Sequence, residues 1–89
     1  MIYGRCWLCG KWGWLEEHHI FGGPLRKKSE KFGLKVGLCG DTCHRLGKEA
    51  AHQCAATALR LHQYGQRKYM EEHGATVDEF RVQFGKNYL

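Results

Sequence analysis

Two close pairs of thiols, Cys6-Trp7-Leu8-Cys9 and Cys39-Gly40-Asp41-Thr42-Cys43, enclose the doublet His18-His19, and His44 follows the second pair directly. Each pair presents two sulfurs from one turn, and two such turns complete the tetrahedron that zinc prefers. Cys6, Cys9, Cys39 and Cys43 are therefore the expected ligands of a structural Zn²⁺. Gly40 absorbs the extra residue in the second pair, and His44 is the substitute fourth ligand if Cys43 does not reach. Zinc closed by four thiolates folds a domain and does no chemistry, so the histidines are left for a second centre. In an extended segment successive side chains point to opposite faces. His18 and His19 are thus expected to divide the work, one binding a metal and the other facing a substrate.

The elements that must position these groups are legible in outline. A knuckle at residues 6–10 needs tight turning, for which Gly10 and Gly13 are the candidates for positive φ. Residues 12–20 read as a strand, rich in Trp and ending in the doublet. Phe21-Gly22-Gly23-Pro24 is a loop, since two glycines and a proline continue neither a helix nor a central strand. Residues 25–32 carry Arg26, Lys27, Lys28 and Lys31 in a short helix or a basic loop. After Gly33, residues 34–38 form a second short strand that leads into Cys39, so the cysteine pairs bracket a hairpin-like unit.

Beyond His44 the pattern predicts a long helix over 48–73, interrupted only at Gly65, with Ala51, Ala55, Ala58, Leu59 and Leu61 on its apolar face and Gly74 as its stop. Cys54 falls on this helix and reads as a buried or semi-buried thiol. His62 and His73 read as solvated positions on the helix or at its end. Thr76-Val77-Asp78-Glu79 matches a capping box, which starts a last helix over 77–84 whose Phe80 and Phe84 pack together. The whole is a small α+β protein. It forms a single domain over 1–89, with its core motif in 6–52 and a helical extension in 53–89.

Size and charge bound the function. At 89 residues a hydrophobic core alone stabilises marginally, and a metal commonly supplements it. Fourteen Lys and Arg against nine Asp and Glu give a net charge of +5 and a pI of about 9.1, which permits a polyanionic partner and says nothing about fold. Met1 to Arg5 lead directly into Cys6, with no signal peptide expected and no apolar run long enough for a bilayer. A cytoplasmic location is therefore expected. In that reducing compartment five cysteines, an odd number, favour thiolate ligation over disulfides. A redox-active Cys-x2-Cys is disfavoured because no βαβ pattern surrounds the pair.

The order of these motifs resembles the HNH endonucleases, in which a zinc knuckle, a His doublet, a second strand and Leu-Cys-x-x-Cys-His entering a helix make a ββα-metal motif. The matching residues are Cys6, Cys9, His18-His19-Ile20, Leu38-Cys39 and Cys43-His44. His-His-Ile-Phe-Gly-Gly, and the terminal Phe84-Gly-Lys-Asn-Tyr-Leu89, are similar to small phage-encoded HNH proteins related to a RecA-dependent nuclease. The resemblance implies a DNA-cutting phosphodiesterase, working in phage DNA processing or recombination inside a bacterial host. Its partners would be DNA and a recombinase or packaging protein.

The resemblance also assigns roles. His19 would be the general base, and His18 and His44 would hold a catalytic divalent ion (Mg²⁺, Mn²⁺, Ni²⁺ or Zn²⁺). His52 would be a third ligand of that ion. In one continuous helix His52 would lie about 12 Å along the axis from His44, at about 1.5 Å per residue, so its assignment requires a chain break at Gly47. Arg26, Lys27, Lys28, Lys31 and Arg45 would contact phosphates without reading sequence. One departure stands out: HNH proteins commonly carry an asparagine near the start of the second strand, where this chain has Leu34-Lys35-Val36. The single asparagine here is Asn87. The alternative reading is a non-catalytic zinc-knuckle module that binds nucleic acid or a recombination or packaging protein.

Overall fold

The computed structural model describes every residue except 1, 41–43, 45, 46, 48, 49 and 52. Strand β1 (Ile2–Arg5), strand β2 (Trp12–His19), helix α1 (Arg26–Lys31), strand β3 (Lys35–Cys39), helix α2 (Ala55–His73) and helix α3 (Val77–Phe84) follow in chain order. The strands make one antiparallel sheet in the order β1-β2-β3, so β2 is hydrogen-bonded along both edges. Its register sets Tyr3 opposite Trp14 on one side and His18 opposite Val36 on the other. The molecule is a small α+β protein.

The segment after β2 closes the sheet onto the helices. A single 3-10 turn at Gly23–Leu25 leads into α1, and fully buried Ser29 ties α1 down. Its hydroxyl accepts from the Phe21 N–H and donates to the Leu34 carbonyl, while the Leu34 N–H donates back to the Ser29 carbonyl at 2.8 Å. Ile20, Phe21 and Leu34 thereby enter the core together with Leu61, Tyr69, Phe80 and Phe84. Phe80 and Phe84 stack on one another at 4.8 Å between ring centroids. Gln66, also buried, donates to the Asn87 side chain and accepts from the Tyr88 N–H, both at 2.8 Å. This fastens the last residues onto α2. Among the described residues no buried side-chain nitrogen or oxygen lacks a hydrogen-bond partner, and no helix is long and apolar enough to cross a membrane.

Several expectations are corrected. Strand β1 was invisible as four residues of mixed character and exists through its pairing with β2. The long helix starts at Ala55, not at 48. The N–H groups of Gln53 and Cys54 both donate to the Ala50 carbonyl, and the Ala50 N–H donates to Gly47, so buried Ala50 and Ala51 sit in turns. Burial of these alanines overrides their helix propensity. Cys54 accordingly stands at the N-cap of α2 in extended conformation, half-buried. The buried stripe of α2 is Thr57, Leu61, Gly65 and Tyr69 at four-residue spacing, whereas Ala55 and Leu59 face outward. Gly10 takes positive φ, 75°, but Gly13 does not; it lies within β2. Helix α3 begins with the expected capping box, in which the Thr76 hydroxyl accepts from Glu79 N–H and the Glu79 carboxylate accepts from Thr76 N–H.

Gly65 packs closely against the residues that follow β2. A Cβ there would lie 2.7 Å from Ile20 Cγ2 and 2.9 Å from Phe21 Cε2, both in buried side chains. Gly65→Ala should therefore lower stability, because overpacking of about 1–3 kcal/mol exceeds the helix-propensity gain of up to about 1 kcal/mol. Gly22→Ala, where a Cβ meets open space, serves as the control. Urea midpoints at fixed metal content check this, and an unchanged Gly65→Ala midpoint would show that α2 can move off Ile20 and Phe21 at no cost.

Candidate metal centre and histidine cleft

The knuckle and the end of β3 converge on sulfur. Cys6, Cys9 and Cys39 hold their Sγ atoms within 4.8 Å of one another, and those of Cys9 and Cys39 are 3.6 Å apart. Thiolates at about 2.3 Å from a tetrahedral zinc would be about 3.8 Å apart, so the spacing suits a shared metal. It is too long for a disulfide, whose sulfurs lie about 2.05 Å apart. The Sγ of buried Cys6 also accepts from the N–H groups of Cys9 and Cys39, both at 3.5 Å. Donors aimed at a sulfur favour its thiolate form. Burial, followed by the neighbouring sulfurs of Cys9 and Cys6, pushes the Cys39 thiol above its ordinary pKa; a divalent cation reverses that balance by drawing the protons off. These three sulfurs form a group able to hold a metal ion. Cys43, the fourth expected ligand, lies outside the described residues.

Strand β2 presents the two histidines to opposite faces. Glu16 and His18, two apart, share one face, and His44 stands against both. Its ring is 5.1 Å from that of His18, edge to face, and its Nδ1 lies 2.9 Å from Glu16 Oε1. A carboxylate only accepts, so in the neutral His44 ring the proton sits on Nδ1 and the lone pair on Nε2. This is the usual way a carboxylate orients a metal-binding histidine. Buried His18 and partly buried His44 thus stand ring against ring on this face. His52, the conditional third ligand, lies outside the described residues.

His19 projects to the other face, where its Nε2 is 3.0 Å from Glu30 Oε2 on α1. By the same reasoning the neutral His19 ring keeps its lone pair on Nδ1. Lys35, directly opposite His19 on β3, binds Glu30 at 2.8 Å and Glu17 at 3.3 Å. The Lys35 ammonium, and after it His19, hold the Glu30 carboxyl below its usual range. The Glu30 contact in turn raises the Lys35 pKa. Glu17, His19 and Glu30 have ligand atoms within 4.8 Å of one another, yet Lys35 already supplies the cation between the two carboxylates. The group is better suited to orienting the imidazole than to holding an ion.

A cavity of about 310 Å³ joins the two sides, lined by Glu17, His18, His19, Gly22, Gly23, Arg26 and His44. It gathers both members of the doublet, the histidine behind the second cysteine pair and one of the expected phosphate contacts. Lys27 borders an adjoining hollow with His19 and Glu30. Lys28 reaches away, donating to the Gln83 carbonyl at 2.6 Å, and Lys31 lies 5.4 Å over the Phe32 ring. Arg45 lies outside the described residues. His62 is half-buried and stacks on Phe21 at 5.3 Å, instead of standing in solvent, and burial lowers its pKa. His73 is exposed at the end of α2, beside Tyr69 and Phe32. Glu16 and Glu30 were not anticipated. The two-residue spacing of Glu16 and His18 on a strand was a usable signal, whereas nothing local links Glu30 to His19.

Compared with protein-family models, curated proteins and solved structures, the chain finds no match.

The sulfur cluster makes a direct prediction. Purified chain should carry about one tightly held thiophilic metal ion there, the stoichiometry of a single tetrahedral thiolate site, and Co²⁺ exchange should give sulfur-to-cobalt charge-transfer bands. Cys39→Ser should lose both the metal and cooperative unfolding. Wild-type metal content in Cys39→Ser, measured by mass spectrometry, would exclude this site.

Proposed function

We propose that this chain is a metal-dependent DNA endonuclease of the HNH type, a single-domain ββα-metal protein folded around a structural Zn²⁺ at Cys6, Cys9, Cys39 and Cys43. The observation that carries the reading is the cleft that gathers His18, His19, His44 and Arg26, reached through the strand alternation that separates the members of the doublet. His18 and His44 are the ligands for the catalytic ion, with His52 as the third. A divalent ion in that position supplies Lewis-acid stabilisation of charge developing on a scissile phosphate.

The chain's own residues divide the remaining work. His19 accepts the proton of the attacking water at Nδ1, a role suited to an imidazole because its ordinary pKa, about 6.5, lies near physiological pH. Glu30 holds the opposite nitrogen and fixes the ring, the orienting service for which this chain has no asparagine at the start of β3. Arg26 and Lys27 flank the doublet and contact the backbone phosphates, which set position without sequence preference. Selection of a site then falls to DNA structure or to a partner such as a recombinase or a phage packaging protein.

Supercoiled plasmid incubated with the zinc-loaded chain and Mg²⁺, Mn²⁺, Ni²⁺ or Zn²⁺ should be nicked or linearised. His19→Ala should slow cutting by about 10²–10⁴-fold, the usual contribution of a general base, and Glu30→Gln should slow it less while leaving the fold intact. A folded, zinc-loaded protein that leaves plasmid intact with every ion would sink the nuclease reading in favour of a non-catalytic nucleic-acid-binding module. Equal cutting by His19→Ala would remove His19 from the base role.

A further inference from the structure

The face of β2 that carries His18 does not end at the core. It continues outward past Glu16 to Trp14 and Trp12, and the register sets Tyr3 opposite Trp14 and Arg5 opposite Trp12 on that same face. Directly opposed residues of antiparallel strands share a face, so three large aromatics and an arginine form one surface. Tyr3, Trp12 and Trp14 are 60%, 68% and 67% exposed. Tyr3 meets Trp14 edge to face at 5.2 Å and Trp12 at 6.5 Å. Cross-strand ring contacts stabilise a hairpin, but they do not require three rings to stay this open to water. A cluster of this kind is a marker of an interaction site.

The chemistry of the surroundings selects the ligand. Between residues 2 and 15 the charged side chains are Arg5, on the aromatic face, and Lys11, just before β2, both exposed; the next acidic residue on that face, Glu16, is engaged by His44 at 2.9 Å. Open aromatic faces with cations beside them suit a ligand that is flat, aromatic and anionic along its length. Single-stranded nucleic acid has that character, because every base offers a π face and every linkage a negative charge. A duplex hides its base faces in its own stack. We infer that Tyr3, Trp12 and Trp14, with Arg5 and Lys11, form a stacking platform for unpaired bases of single-stranded DNA.

The platform deepens the nuclease reading, and rests on it for where the strand leads. His18 lies four residues beyond Trp14 on the same face of β2, about 13 Å away at about 3.3 Å per residue. A strand held on the tryptophans and followed along β2 reaches the histidine cleft. The substrate class this implies is DNA with single-stranded character, such as a displaced strand, a gap or a flap.

The test measures binding apart from cutting, using intact zinc-loaded chain carrying His19→Ala with no added divalent ion. Oligothymidylate of about 12 nucleotides, within the span small single-strand binders cover, should quench tryptophan emission on binding. Trp14→Ala should weaken binding about tenfold or more, the scale of one lost base stack, while Trp14→Phe retains most of it and both variants melt like the parent. Oligothymidylate should also outbind a blunt hairpin duplex and heparin. Unchanged binding in Trp14→Ala, or equal binding of heparin, would overturn the platform. So would a dimer dissolved by Trp14→Ala with oligonucleotide binding intact, which would assign the patch to a second copy of the chain. The two readings fail separately: inert plasmid with tight, Trp14-dependent oligothymidylate binding leaves the platform standing without the nuclease, whereas cutting with no such dependence does the reverse.

Discussion

The alternation of side chains along β2 is the constraint from which the site follows. This strand is hydrogen-bonded on both edges, so its register cannot slip by one residue without turning every side chain to the wrong face. Leu15 pins that register. Its Cδ1 lies where a Cβ on Gly37 would be, at 2.7 Å, and close to where one on Gly4 would be, at 3.7 Å. Gly37 thus makes room for the buried leucine on the middle strand, whereas a Cβ at Gly4 would meet it in ordinary contact. With Leu15 held, Glu16 and His18 must face His44, and Glu17 and His19 must face α1 and Lys35. Two adjacent histidines acquire different neighbours because the backbone leaves them no alternative.

The knuckle anchors the other end of the same sheet. Cys6 follows β1 and opens the turn toward β2, and Cys39 ends β3; the two strands flank β2 without pairing with each other. The Cys6 N–H donates to Lys11 and the Trp7 N–H to Gly37, both at 2.9 Å, so the turn is stitched to β2's entry and to β3 before any metal is considered. The Cys39 thiol, buried beside the other two sulfurs, resists ionisation, and a divalent cation would reverse that balance. In a domain with so small a core, a metal cross-link at this end of the sheet would add stability.

What could be read from the chain follows the range of the interactions. The capping box at Thr76 and Glu79, the stop at Gly74 and the turn at Gly10 are settled within a few residues and appear as expected. The doublet's division was legible because period-two geometry needs only the strand. Interactions that cross the fold were not legible. Strand β1 is defined by its partner, and Ala50 and Ala51 leave the helix they favour because burial outweighs propensity. Gly65, which reads as a flaw in a helix, leaves no space for a Cβ against Ile20 and Phe21. Lys28, one of a basic run, caps a carbonyl of α3 fifty-five residues away. Glu30 reaches His19 only once Ser29 has fastened α1 beside the sheet.

Three of the nine acidic residues, Glu16, Glu17 and Glu30, crowd the histidines of a chain with net charge +5, which works against an anionic ligand there. Each has a close partner. Glu16 meets His44, Glu17 meets Lys35, and Glu30 meets both Lys35 and His19. Lys35 offsets one carboxylate charge and a neutral imidazole offsets none, and the remaining field is screened beyond about 8–10 Å at ordinary ionic strength. At short range the carboxylates choose which imidazole nitrogen carries the proton. The carboxylates therefore set the tautomers of His44 and His19, while the cationic side chains beside the doublet are Arg26, in the cleft, and Lys27, in the adjoining hollow. Removing the acids would make the site more positive yet leave the imidazoles unoriented, so a higher net charge alone would not improve the cleft for the proposed chemistry.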